Sequence, residues 1–299
     1  MLAFARTRIC CISVAMWVLG CSAGTGSDVA AGGSGGAGVS GSGTAGGPGA
    51  QTGSGSTAAF MTSSTGQGGA GEIAEVFGHS GSVLYRLDPV TKVVTTVGPF
   101  SGCDQSVIDI ALDKDSNLYA TTFGGLYHVE KTTAACSLIQ SGSYPNSLSF
   151  VPAGTLDPSV EALVGYLGDQ YVRIDPVSGN VSAVGLLQGN GLLSSGDVVS
   201  VKGGKSYLTV KGTACADCLV EINPATGKML NNLGDVGFTD VFGLAFWAGS
   251  VYGFTNAGEL FEVSFPNGVL TTNTINAPGA SSFYGAGSTT SAPPVPTAQ

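Results

Sequence analysis

A six-residue segment recurs five times along this chain of 299 residues, and the spacing of its copies limits what the chain can fold into. The copies are Leu84-Tyr-Arg-Leu-Asp-Pro89, Leu126-Tyr-His-Val-Glu-Lys131, Tyr171-Val-Arg-Ile-Asp-Pro176, Leu219-Val-Glu-Ile-Asn-Pro224 and Leu260-Phe-Glu-Val-Ser-Phe265. Their first residues lie 42, 45, 48 and 41 positions apart. A period of that length, carried by short apolar runs and turn residues, predicts a radial array of four-stranded sheets, a β-propeller.

Each unit divides into four short strands, most clearly in the second: Val107 to Leu112, Leu118 to Phe123, Leu126 to Glu130 and Cys136 to Gln140. In the third strand of every unit the second and fourth positions are apolar: Tyr85 and Leu87, Tyr127 and Val129, Val172 and Ile174, Val220 and Ile222, Phe261 and Val263. The residue between them is polar (Arg86, His128, Arg173, Glu221, Glu262). Alternation of period two turns one face of a strand toward a neighbouring sheet. The first position is apolar as well, as blades covered on both sides require. Tight turns follow at Asp88-Pro-Val-Thr91, Asp175-Pro-Val-Ser-Gly179 and Asn223-Pro-Ala-Thr-Gly227. Asp or Asn opens the turn, Pro sets φ, and Gly accepts a positive φ.

Counting strands predicts how the ring closes. The first unit starts near Glu72 without an inner strand, while Ser282-Phe-Tyr-Gly-Ala-Gly287 matches Val241-Phe-Gly-Leu-Ala245, the inner strand of the fifth unit. The C-terminal strand therefore completes the first blade and removes both open edges. The expectation is an all-β, five-bladed propeller of four-stranded blades over residues 72–288, with an incomplete six-bladed ring as the competing count. The repeat resembles the "LYxIDPxTG" units of a broad group of bacterial propellers (NHL, YVTN and quinoprotein-like). That resemblance implies a fold rather than a function.

Two arginines and no acid occupy residues 1–8, and about a dozen mostly apolar residues follow to Gly20. This is too short to span a bilayer, which takes about 20 residues, and it suits the apolar part of a secretion signal. The run ends in Val18-Leu-Gly-Cys21, which resembles the lipobox of bacterial lipoproteins, with Leu19 where a smaller residue is usual. The resemblance implies a signal over 1–20, diacylation of the Cys21 thiol, and membrane attachment through it. Ser22, in place of the Asp that favours inner-membrane retention in that family, implies an outer-membrane lipoprotein of a Gram-negative-type envelope. The alternative is an ordinary signal cut after Ala23; either way the chain leaves the cytoplasm.

Residues 22–72 hold 18 glycines, with Ser, Ala and Thr making up most of the remainder. Such a segment buries too little apolar area to offset its conformational entropy. Residues 21–71 are therefore expected to be a flexible tether, with an end-to-end distance of about 40 Å. A second unstructured stretch is expected at 289–299, where Pro293, Pro294 and Pro296 cluster. Charges cancel up to residue 72, so the later 9 basic and 18 acidic residues carry the whole net charge of −9. An acidic domain is a poor partner for nucleic acid or anionic lipid.

Export permits disulfides. Beyond Cys10, Cys11 and Cys21, four cysteines remain. Cys215-Ala-Asp-Cys218 falls between the second and third strands of unit four, with no helix to lower a thiol pKa and no second ligand pair for zinc. A local Cys215–Cys218 disulfide is expected, leaving Cys103 with Cys136 by parity, although the strand assignment sets that pair at opposite ends of a blade. Asp113-Lys-Asp-Ser-Asn117 opens like a calcium loop but lacks the glycine and final acid, so it reads as an Asx turn. His79 and His128 have no acid or nucleophile at motif spacing, and no phosphate or dinucleotide fingerprint occurs.

Asp109, Ser147, Asp197, Gly243 and Gly285 occupy equivalent positions at the heads of the inner strands, so they should ring one mouth of a central channel. Asp109, Ser147 and Asp197 are the candidate ligand-binding residues; the alternative is that each Asp caps backbone N–H groups of the next blade. Calcium-dependent propeller lactonases place acids and amides in this channel, but here the matching positions supply two acids and no amide. The reading is therefore a membrane-anchored, monomeric lipoprotein whose propeller binds or scaffolds a protein or glycan. No catalytic, metal or cofactor site is assigned. A hydrolase or lyase with a central cation is the alternative.

Overall fold

The computed structural model describes residues 73–277, 280 and 282–296. The signal, Cys21, the tether and residues 297–299 lie outside the described residues. Among the described residues, twenty strands form five antiparallel four-stranded sheets, and the one helical element is a 3-10 turn at Pro266–Gly268.

The second blade runs from the axis outward as β4 (Asp109–Leu112), β5 (Leu118–Thr121), β6 (Gly125–Glu130) and β7 (Ala135–Ser141). The third is β8 (Leu148–Val151), β9 (Ala162–Leu167), β10 (Gln170–Ile174) and β11 (Val181–Leu186). The fourth is β12 (Leu193–Ser200), β13 (Ser206–Gly212), β14 (Cys215–Ile222) and β15 (Met229–Asp235). The fifth is β16 (Val241–Trp247), β17 (Ser250–Thr255), β18 (Leu260–Ser264) and β19 (Thr271–Ile275). The first blade joins both ends of the chain: β1 (Val76–His79), β2 (Val83–Leu87) and β3 (Val94–Pro99) take β20 (Gly285–Ser288) as inner strand. β20 pairs antiparallel with β1 in the register Val76↔Ser288 to His79↔Gly285. The ring thus closes on five blades, with no sixth sheet among the described residues.

Each blade boundary has its own apolar cluster, and the third strands explain why. Tyr127 and Val129 pack toward the first blade, whereas Leu126 packs toward the third. Val220 and Ile222 pack toward the third blade and Leu219 toward the fifth. The same division holds for Tyr85 and Leu87 against Leu84. One strand therefore serves two interfaces through its alternating faces. Fully burying a side chain of this size contributes roughly 1.5–3 kcal/mol.

The turns after the third strands are held as their residues suggest. Asp175 Oδ1 accepts from the N–H groups of Val177 and Ser178 at 2.8 and 3.0 Å, and Gly179 takes φ +72°. In the first blade Asp88 Oδ1 does the same for Val90 and Thr91, and Lys92 stands at φ +62°. These turns seat against the preceding blade. Tyr144 Oη donates to Gly179 O at 2.9 Å, Tyr166 Oη to Gly227 O at 2.6 Å, and Tyr171 Oη to Pro224 O at 2.9 Å.

The chain enters at Ile73 and leaves after Ser288 on the same rim, called here the near rim. The segment after β20 does not hang free: Thr289, Thr290 and Ala292 are buried. Thr289 N donates to Glu75 O, Lys202 N to Thr290 O, Thr290 Oγ1 to Glu161, and Ser291 Oγ to Ile73 O and Lys114 O. Gly249 lies against Pro294 and Pro296. The segment therefore reaches turns of all five blades and covers the near-rim end of the axis. The proline-based expectation of an unstructured tail from 289 missed this, because the contacts come from the threonines, Ser291 and Ala292 before the prolines.

Candidate functional site

The inner strands bring Asp109, Ser147 and Asp197 together, at the end of the axis away from the chain termini. All three are fully buried. Asp197 Oδ1 accepts from Val198 N at 2.6 Å and Leu148 N at 3.4 Å, and Oδ2 from Leu244 N at 2.7 Å. One carboxylate thus ties β12 to the head of β8 and the middle of β16. Asp109 Oδ1 accepts from Ile110 N at 2.8 Å. Ser147 Oγ accepts from Tyr166 N at 2.8 Å, so it serves the fold of its own blade.

These residues do not line an open mouth. Glycines let the inner strands close on one another: a Cβ on Gly243 would lie 2.6 Å from the carbonyl carbon of Gly285, and one on Gly287 would lie 3.1 Å from Ile110 O. With the tail across the near rim, both carboxylates are at 0% exposure.

Burial, together with the negative charge of Asp197, raises the pKa of Asp109 well above the usual carboxylate range. Asp197 is also raised by burial, against the pull of the N–H groups of Leu244 and Val198 and of its hydrogen bond with Asp109. Ionising both carboxyls in this buried position is therefore disfavoured.

His79, which has no partner at motif spacing in the sequence, is a third member. It sits in β1 opposite Gly285, is fully buried, and donates from Nδ1 to Ser80 O at 2.9 Å. A Cβ on Gly285 would overlap both His79 Nε2 and Asp109 Oδ1, which places the imidazole beside the acid pair. Burial lowers its pKa to about 4. The available signal was Gly285 itself, since a glycine at the head of an inner strand leaves room that the side chain facing it can fill.

Cys103 is bonded to Cys136, and Cys215 to Cys218. The strand assignment set Cys103 and Cys136 apart, but sheet twist swings the far end of β3 against the start of β7. Ser101 bridges Ala135 there, and Cys136 N donates to Ser101 O at 2.7 Å. Cys215-Ala-Asp-Cys218 begins β14 rather than lying in the turn before it, and a register shift beside it lets both cysteines reach the core between the third and fourth blades. Asp217 between them is buried, and burial raises its pKa. Asp113 forms the expected Asx turn, with Oδ1 accepting from Asp115 N at 2.9 Å and Asn117 N at 2.8 Å. His128 packs edge-on against Tyr119, away from the axis. Among the described residues no group of three or more His, Cys, Asp and Glu is placed to hold a metal ion.

The fold and this sealed axis define the class: a five-bladed β-propeller. No protein-family model matches the chain, and no curated protein matches it either. Among solved structures it is similar to a chain of a nidogen/laminin complex, at 9% identity over 72% of this chain and 98% of that one, with a TM-score of 0.44. It is also similar to a protein of unknown function from Bacteroides caccae, at 13% identity over 68% and 73%, with a TM-score of 0.38. Neither likeness carries an argument about function.

Proposed function

We propose that this chain is an outer-membrane lipoprotein, diacylated at Cys21, whose propeller binds or scaffolds a protein or glycan through the rim opposite the chain ends. One observation carries the choice of face: the near rim is taken up by the entering chain and by residues 289–296, which cross its centre. Among the described residues, neither the entering nor the leaving segment reaches the far rim, which displays Phe123 at 68% exposure, with Leu167, Leu193 and Tyr284 also exposed. Its turns between second and third strands, Ser80–Ser82, Thr122–Gly124, Gly168–Asp169, Thr213–Ala214 and Asn256–Glu259, contain no Lys or Arg. Asp104, Asp169, Asp240 and Glu259 outnumber the exposed Lys211, which pairs with Leu193 on that side, so a basic or neutral partner face is favoured over an acidic one. The lipobox-like Val18-Leu-Gly-Cys21 supports the anchor.

The test is in vivo photo-crosslinking from a reporter at Phe123 on the far rim or at Val177, an exposed residue in a turn at the blade edge. Crosslinks should form from position 123 and not from 177; equal crosslinking from both would overturn the choice of face. Palmitate labelling of the wild type, lost in Cys21→Ala, tests the anchor separately.

A further inference from the structure

Three ionisable side chains meet at the axis with too few partners for their polar atoms. Ser80 O can only accept, so His79 Nδ1 carries the hydrogen and Nε2 is left as a lone pair. Nε2 is buried without a hydrogen-bond partner, and so is Asp109 Oδ2. Asp197, by contrast, accepts from three backbone N–H groups.

The groups facing the cluster are few. β5 contributes Thr121, whose hydroxyl donates to Pro145 O at 3.2 Å. The head of β8 contributes Ser147 and Leu148 N, β16 contributes Leu244 N, and β20 contributes the bare backbone of Gly285. None of these carries a positive charge. A donor is needed between buried acceptors, and the one the side chains can supply is a proton on Asp109.

We propose that Asp109, Asp197 and His79 form a proton-binding site that clasps the closing strand β20: one proton, carried by Asp109 and shared with Asp197, holds β20 in the ring, and its loss releases it. The step is a simple acid–base exchange. The Asp109 O–H bond breaks, hydroxide takes the proton to give water, and the cluster passes from one negative charge to two. His79 Nε2 offers another seat for the same proton without changing the total charge. β20 feels the change because Gly285 packs directly against Asp109 and His79, and because β20 is the one inner strand supplied from the far end of the chain. This inference is independent of the binding face proposed above.

Hydrogen exchange of the full chain from pH 5 to 9 tests it, following residues 285–292 with the intrinsic pH dependence of exchange removed. Protection in the wild type should fall at least tenfold as pH rises, while in Asp109→Asn, which keeps the shape but carries no ionisable proton, it should stay level. Equal slopes in the two proteins, or a level profile in the wild type, would overturn the clasp. Carboxyl carbon NMR of the wild type covers the case of a variant that does not fold. One buried aspartate should remain protonated at pH 7; finding both ionised at pH 5 sinks the proposal.

Discussion

At the residue scale, the turn glycines separate two costs that are usually combined. Gly203 and Gly227 stand at similar φ values, +74° and +70°. Around Gly203 a Cβ would meet nothing within 4 Å, whereas at Gly227 it would overlap the Tyr171 side chain of the preceding blade. Gly203→Ala should therefore lose only the left-handed penalty, about 1 kcal/mol. Gly227→Ala adds displacement of a buried aromatic ring and should lose about 3 kcal/mol. Urea unfolding of the two variants measures the difference, and equal losses would refute the seating of turns on neighbouring blades. The Asp-Pro and Asn-Pro turns were readable from sequence because each is local: side chain, ring and glycine act within five residues. His79 was not, because its role depends on a glycine at the other end of the chain and on strands folding between them.

At the element scale, the third strands were the most legible parts of the chain, since period-two alternation reports both of the interfaces a blade makes. The outermost strands were less so. β7 and β11 are mostly exposed or half-buried and carry no sharp pattern, and how far they twist sets what they touch. That twist decides the Cys103–Cys136 bridge, which strand order alone argued against. The bridge spans 33 residues and joins the loop after the first blade to the edge of the second. By the loop-entropy relation it contributes about 3–4 kcal/mol. The Cys215–Cys218 bridge closes a loop of 3 residues and constrains the unfolded chain far less. Replacing Cys103 and Cys136 by Ser should therefore lower the urea midpoint much more than replacing Cys215 and Cys218. The reverse order would show that local geometry, not chain entropy, governs the bridges.

At the scale of the whole molecule, the axis sets how stability varies with pH. His79 has a pKa lowered to about 4, so its contribution is complete above about 6.5 and is lost as pH falls toward 4. The Asp109–Asp197 pair is raised, so its contribution is complete below about 4 and is lost as pH rises through the raised value. As pH rises from about 4, the His79 trend and that of the pair therefore oppose each other. Relative to the wild type, Asp109→Asn should gain stability steadily with pH from 4 upward, measured as the difference in unfolding free energy. A difference that does not change with pH would contradict the shared proton. The convergence of Asp109, Ser147 and Asp197 was legible because the repeat places them at equivalent strand heads. The sealing of the channel was not, because it depends on glycine contacts between strands remote in sequence and on a tail whose prolines suggested disorder.

The pairing of Val76 with Ser288 has a mechanical meaning. β1 and β20 run antiparallel and both open onto the rim where the chain arrives and departs, so a pull that separates the two ends loads their ladder one rung at a time. A load applied across the opposite rim is instead spread over five blades at once. A body held by its first strand would therefore yield readily if its own ends were drawn apart, yet resist when something seized its outward face.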